Sequence, residues 1–255
     1  ERNDIDFFNF GFSVMFEPAL YKAEYKYTGI KQYINYPLPQ PVFEKSSRSY
    51  PTYNMAIPDQ FRIDQFIKEF DQKWINGTDT MPAFITVIIP NDHGAGERPE
   101  AGYPFRESYM ADNDLALGRI IEYLSRTPYW ENMLIVTTED DAQNGVDHVD
   151  AHRSILMLTS PWVKRDYVGH GHYSFGSIFK TFWNILGLPY LNQYDAGASD
   201  LEDFFTSEPN YKPYSAVGVE QKMFDPQKAL DPFDENFDWK ALEESPQLDN
   251  VEDFI

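Results

Sequence analysis

The sequence predicts an α/β domain with a mainly parallel sheet, and three observations carry that expectation. Three short runs (residues 84–89, 133–138 and 155–158) are continuously apolar and mostly β-branched or leucine, the pattern of strands covered on both faces. Around and between them lie segments whose apolar residues recur at three- and four-residue steps, the spacing of one helix face. Strand, loop and helix then alternate along the chain, as parallel strands joined by crossovers require. At 255 residues, 42% hydrophobic and 16% aromatic, the chain is long and apolar enough for a single α/β domain over 1–255.

Each element follows in order. Phe7, Phe8, Phe10, Phe12, Val14, Met15 and Phe16 predict a core strand with its flanks. Residues 27–58 are dense in Tyr and Pro, and Pro37, Pro39, Pro41, Pro51 and Pro58 break regular structure, so a long ordered loop is expected there. Phe61, Ile63, Phe66, Ile67, Phe70 and Trp74 mark a helix that Pro58 introduces and Asn76-Gly77 closes through a left-handed cap. The strand at 84–89 stops at Pro90 and releases Asn91-Asp92-His93-Gly94. A helix over 110–126 places Asp112 and Asp114 in its first turn, where the macrodipole favours anions. The second strand, 133–138, delivers Glu139, Asp140 and Asp141, and the third ends at Ser160-Pro161. A helix over 174–186 has Phe175, Ile178, Phe179, Phe182 and Ile185 facing inward and stops at Gly187 and Pro189.

Composition narrows the partners. There is no cysteine, so a metal would be held by oxygen and imidazole nitrogen. The formal charge is −20, which argues against a nucleic-acid backbone as ligand. More than half of it lies in residues 200–255, where 15 acidic residues face 4 lysines, a net of −11; residues 205–255 read as an acidic C-terminal extension. No window approaches the roughly 20 apolar residues of a membrane span. The first residues hold no basic region followed by an apolar run, so no signal peptide is expected in them.

The chemistry gathers after the strands. Ligands of open parallel sheets bind beyond the carboxyl ends of the strands, and two strands here end in Asp92-His93 and in Glu139-Asp140-Asp141. Three consecutive carboxylates repel one another, and a cation removes that penalty. His148 and His152 follow at a spacing of four, which lets both imidazoles meet one ion if the segment is helical. All five histidines, including His170 and His172 between glycines in a segment expected to be pliable, fall in loops after strands. Carboxylates and imidazoles without sulfur suit Zn, Mn, Fe or Ca. Arg153 can neutralise a phosphoryl oxygen or pair with Asp147 or Asp150.

With these residues in place, several segments resemble the phosphoesterase family of acid phosphatases and phospholipases C, within the alkaline phosphatase superfamily. They are Pro90-Asn91-Asp92-His93-Gly94, residues 111–119, residues 138–143, residues 145–153, Leu186-Gly187-Leu188-Pro189 and Asn192-Gln193-Tyr194-Asp195-Ala196. The resemblance implies an alkaline-phosphatase-like α/β/α sandwich whose N-terminal part lies outside this chain. It implies metal ligation by Asp140 and Asp141, and metal or phosphate contacts from Asp92, His93, His148 and His152. Family members carry the nucleophilic Ser or Thr and an early acidic ligand in an N-terminal half, and residues 1–80 offer no match to either. The expected activity is metal-dependent hydrolysis of a phosphorylated small molecule or phospholipid-type substrate, with the missing half as partner and a periplasmic or extracellular setting, the cytoplasm being the alternative. Hydrolysis of a sulfate or phosphonate, or metal binding without catalysis, are the alternatives.

Overall fold

The computed structural model describes residues 5–12, 40–47, 49–53, 55, 57–140 and 153–229. These residues mix helix and strand, and the chain divides into two compact units. Leu124–Tyr214 builds one; Asp6–Tyr123 builds the other together with the chain that returns from Ser215.

In the Asp6–Tyr123 unit, β1 (Phe7–Phe10) and β2 (Phe84–Val87) pair in parallel, with Phe7 opposite Phe84 and Phe10 opposite Val87. Phe10 is fully buried, and its ring meets Phe66 at 4.8 Å, Phe8 at 5.1 Å and Tyr50 at 5.5 Å. Within the stretch expected to be loop, a short helix, α1 (Gln40–Glu44), leads to Ser46, which bridges to Asn9 beside β1. The first long helix, α2 (Asp59–Phe70), buries Phe61, Ile63, Phe66 and Phe70 and widens into a π-turn at Asp71–Ile75 that carries Trp74 into the core. The turn after it is not the left-handed cap expected: Asn76 has φ −104°. Gly77 is needed because a Cβ there would overlap the carbonyls of Gln72 and Lys73.

The third helix, α3 (Glu107–Leu124), meets α2 through a buried polar knot. Pro58, at the N-cap position of α2, has no side chain to satisfy the first free amides of that helix. Asp112 of α3 does so instead: its carboxylate accepts from Asp59 N at 2.9 Å and Gln60 N at 3.2 Å. The same carboxylate accepts from Gln60 Nε2 (2.9 Å), Asn91 Nδ2 (2.6 Å) and Tyr103 Oη (2.7 Å). Beside it Asp59 pairs with Arg62 at 2.9 Å, both wholly buried, and Arg62 donates its remaining hydrogens to the carbonyls of Pro51, Thr52 and Ile57. Complete burial, opposed by Arg62 and reinforced by Asp112, pushes the Asp59 carboxyl up to about 7. The returning chain buries Phe224 against Tyr103 and Tyr109 and forms α6 (Pro226–Ala229), whose Ala229 joins the same core cluster.

The Leu124–Tyr214 unit holds β3 (Ile135–Thr138) and β4 (Leu156–Thr159), and this pair runs antiparallel, with Thr138 opposite Leu156. That departs from the mainly parallel sheet expected. Among the described residues no strand pairs between them, and antiparallel neighbours do not require the crossover that a parallel pair does. Nor is β4 covered on both faces: Ile155 and Met157 are exposed. Residues 174–186 form α4 (Phe175–Leu186), which stops at Gly187 with φ +67°, as expected. Its buried side is Gly176, Ser177, Ile178 and Thr181, while Phe175, Phe179 and Ile185, expected inward, are exposed. The small residues let the chain around α5 (Gln193–Gly197) approach closely, so that a Cβ on Gly176 would lie 3.0 Å from Tyr194 O.

Two measurements test the knot. Asp112→Ala strands five buried donors and is expected to cost about 3–5 kcal/mol in denaturant unfolding, whereas Asp114→Ala, on the exposed side of α3, stays within roughly 0.5 kcal/mol. Asp59 holds its proton more tightly folded than unfolded, so its contribution favours the folded state at low pH and is lost as pH rises from 3.8 towards about 7. Unfolding midpoints of Asp59→Asn are therefore expected to vary less than those of wild type between about pH 5 and 8.

Candidate functional site

The turn after β2 is built outward from Asn91. Pro90–His93 forms a single 3₁₀ turn, and Asn91 at its centre is fully buried. Its backbone N–H reaches Asp59 Oδ2 (3.0 Å), and its side-chain amide reaches Asp112 Oδ2 and Ile57 O. The polar knot thereby fixes the two residues that follow. Asp92 and His93 are half-buried, and the His93 ring stands edge-on to Tyr53, with centroids 5.8 Å apart. Gly94 ends the turn at φ +71° and ψ 151°, a region open in practice only to glycine. The Arg106 side chain lies along that glycine, its Nε 3.2 Å from where a Cβ would stand. Arg106 carried no signal in the sequence, because a lone Arg ahead of a helix has no motif around it.

The second group stands after β3. Thr138 Oγ1 donates to Ile155 O (2.8 Å) and Ser154 Oγ donates to Glu139 O (3.1 Å), which ties the chain leaving β3 to the chain entering β4. Glu139 and Asp140 on one side and Arg153 on the other therefore share one end of the strand pair. Asp140 and Arg153 are both exposed. Asp141, His148 and His152 lie outside the described residues. Among the described residues, no group of three or more His, Asp or Glu side chains gathers as a metal cage. The donor types at both strand ends, carboxylate and imidazole, nonetheless fit a divalent cation.

His170 and His172 are exposed. The segment expected to be pliable is tied at both ends to one carboxylate: Tyr167 and Tyr173 donate to Asp203 Oδ2 at 3.0 and 2.7 Å. The Asp203 hydrogen bond pushes the Tyr173 hydroxyl up to about 12.

Two carboxylates in the segments on which the phosphoesterase expectation rests are occupied by the fold. Asp112 is the knot described above. Asp195 accepts from Leu191 N, Asn192 N and Trp183 Nε1, at 2.7–2.9 Å. Desolvation opposes its ionised form, but these hydrogen bonds outweigh it and hold the carboxyl below its usual range. Among known proteins, no family model and no curated protein matches the chain.

The role of Asp195 can be tested directly. Asp195→Asn is expected to lower the unfolding midpoint at neutral pH and to leave divalent-metal affinity, measured by calorimetry, unchanged. The stabilisation is present above the unfolded pKa of 3.8 and is lost as pH falls through the lower folded value. An altered metal affinity in a variant with native stability would assign Asp195 to the site instead.

Proposed function

We propose that this chain carries the C-terminal half of a metal-dependent phosphoester hydrolase centre, on an alkaline-phosphatase-like α/β/α sandwich. The observation that carries the reading is the end of the β3–β4 pair, where an exposed carboxylate, Asp140, and an exposed guanidinium, Arg153, share one strand end. The fold fully occupies Asp112 and Asp195, whereas Asp140 and Arg153 are exposed at the end of the β3–β4 pair. A carboxylate there suits a divalent cation, and a planar guanidinium suits the oxygens of a phosphoryl group. Asp141, His148 and His152 complete the ligand set on this reading; Asp92 and His93, by the resemblance, are metal or phosphate contacts in their own right. A bound divalent ion supplies Lewis-acid polarisation of the phosphoryl oxygen.

The chain's own residues then have separate tasks. Asp140 and Asp141 hold the ion as carboxylates, His148 and His152 as neutral imidazoles, and Arg153 orients the anionic substrate. By the resemblance, the nucleophile belongs to the half of the protein that precedes these residues, so the substrate is engaged by both halves. A phosphorylated small molecule or phospholipid-type compound in the periplasm or outside the cell is the substrate class that fits. Among the described residues no helix is long and apolar enough to cross a membrane.

Hydrolysis of an aryl phosphate by the full-length protein, with and without added divalent ions, decides the matter. Metal-stimulated turnover is expected, and Asp140→Ala should reduce it by roughly a hundredfold or more, whereas Arg153→Ala should chiefly raise KM. Absence of turnover with Zn, Mn, Fe and Ca alike would sink the reading.

A further inference from the structure

We propose that Arg106 is an anion-binding residue that takes a phosphoryl oxygen at the Asp92–His93 turn. The proposal rests on the phosphoester reading for its substrate class and on geometry for its place. In a chain with 41 acidic and 21 basic residues, arginines readily find partners. Arg62 and Arg119 pair with Asp59 and Asp64, and Arg98, Arg126 and Arg165 donate to hydroxyl or carbonyl oxygens. Arg153 also has a partner. Among the described residues, Arg106 is the arginine whose exposed guanidinium makes no hydrogen bond or ion pair.

Its position is built rather than incidental. Arg106 O accepts from Tyr109 N in the first turn of α3, which fixes the backbone, and Phe105 N is capped by Ser108 Oγ. From there the side chain passes over Gly94, with Cγ 3.5 Å and Nε 3.2 Å from the position a Cβ would take. Glycine at 94 therefore serves twice: it adopts a backbone closed to other residues, and it leaves room for Arg106 to cross directly after His93. A guanidinium offers a planar fork of donors that matches two oxygens of a tetrahedral anion, and its hydrogen bonds to phosphate are charge-assisted. Phosphate monoester and free orthophosphate share that chemistry.

The test uses full-length protein stripped of metal, titrated with orthophosphate and, separately, with phenylphosphonate as a non-hydrolysable monoester mimic, both followed by ³¹P NMR. Wild type is expected to bind at least one probe, and Arg106→Ala should weaken that binding roughly tenfold or more, with Arg106→Lys between them. Arg165→Ala should bind as wild type does. Phosphonate binding alone would assign the residue to an esterified substrate; orthophosphate binding alone would assign it to the free anion. Unchanged affinity for both probes in Arg106→Ala, or no binding of either by wild type, overturns the proposal. Because the Arg106 head group has no partner, Arg106→Ala should unfold at the wild-type midpoint. Metal-stimulated turnover with an unaltered KM in Arg106→Ala would remove this proposal and leave the hydrolase reading standing. Probe binding lost in Arg106→Ala, from a protein that hydrolyses nothing, would do the reverse.

Discussion

The carboxylate of Asp112 accepts hydrogen bonds from two backbone amides, two side-chain amides and a phenol, and most of the Asp6–Tyr123 unit is arranged around that one group. The need arises locally. A helix introduced by proline opens with free amides and no capping side chain, and in water they would be solvated. Here they are buried, so an acceptor must arrive from elsewhere in the chain. A carboxylate answers two needs, since it accepts several hydrogen bonds and its charge suits the positive end of α2. The consequence reaches the candidate site, because Asn91, held by Asp112 and Asp59, sets where Asp92 and His93 begin.

The knot also holds an energetic conflict. Two carboxylates share a dry space with one guanidinium, and burying such charges costs several kcal/mol per ion before any pairing. The structure offsets that cost with hydrogen bonds: Arg62 finds three carbonyls besides Asp59, and Asp59 accepts from Asn91 N and Asn113 Nδ2 as well. A network whose charges are paired and hydrogen-bonded in this way fixes register more than it adds stability. Sliding α2 by one residue against α3 would leave amide, carboxylate and guanidinium unmatched together, whereas the aromatic core of Phe10, Phe66 and Phe70 would tolerate small shifts.

How much of this could be read in the sequence follows from the range of each interaction. Residues 84–87, 135–138 and 156–159 were legible as strands and α2, α3 and α4 as helices, because periodicity and breakers are local. Pairing direction was not: the same apolar run suits a parallel or an antiparallel neighbour, and β3–β4 took the antiparallel course. The burial of α4 misled for a related reason. Apolar spacing marks a face, but Gly176, Ser177 and Thr181 allow closer approach than Phe175 and Phe179, so the small face was buried with Ile178. Asp112 was visible as an acid in the first turn of a helix, yet its partners lie 52 and 53 residues away in the chain, beyond any local pattern. Arg106 was silent because its meaning depends on the absence of a partner, which only packing reveals.

Exposure sorts the acidic residues better than motif membership does. Asp112 and Asp195 both sit in segments that resemble phosphoesterases, and both are saturated with backbone and side-chain donors. A carboxylate in that condition has no lone pair to offer a ligand without dismantling the helix it holds. Asp140 differs in being exposed, at the end of a strand pair that the ladder and the hydroxyls of Thr138 and Ser154 tie together. An exposed carboxylate and an exposed guanidinium at one strand end can meet a ligand from solvent, whereas a ligand could reach Asp112 only by breaking hydrogen bonds that hold a helix.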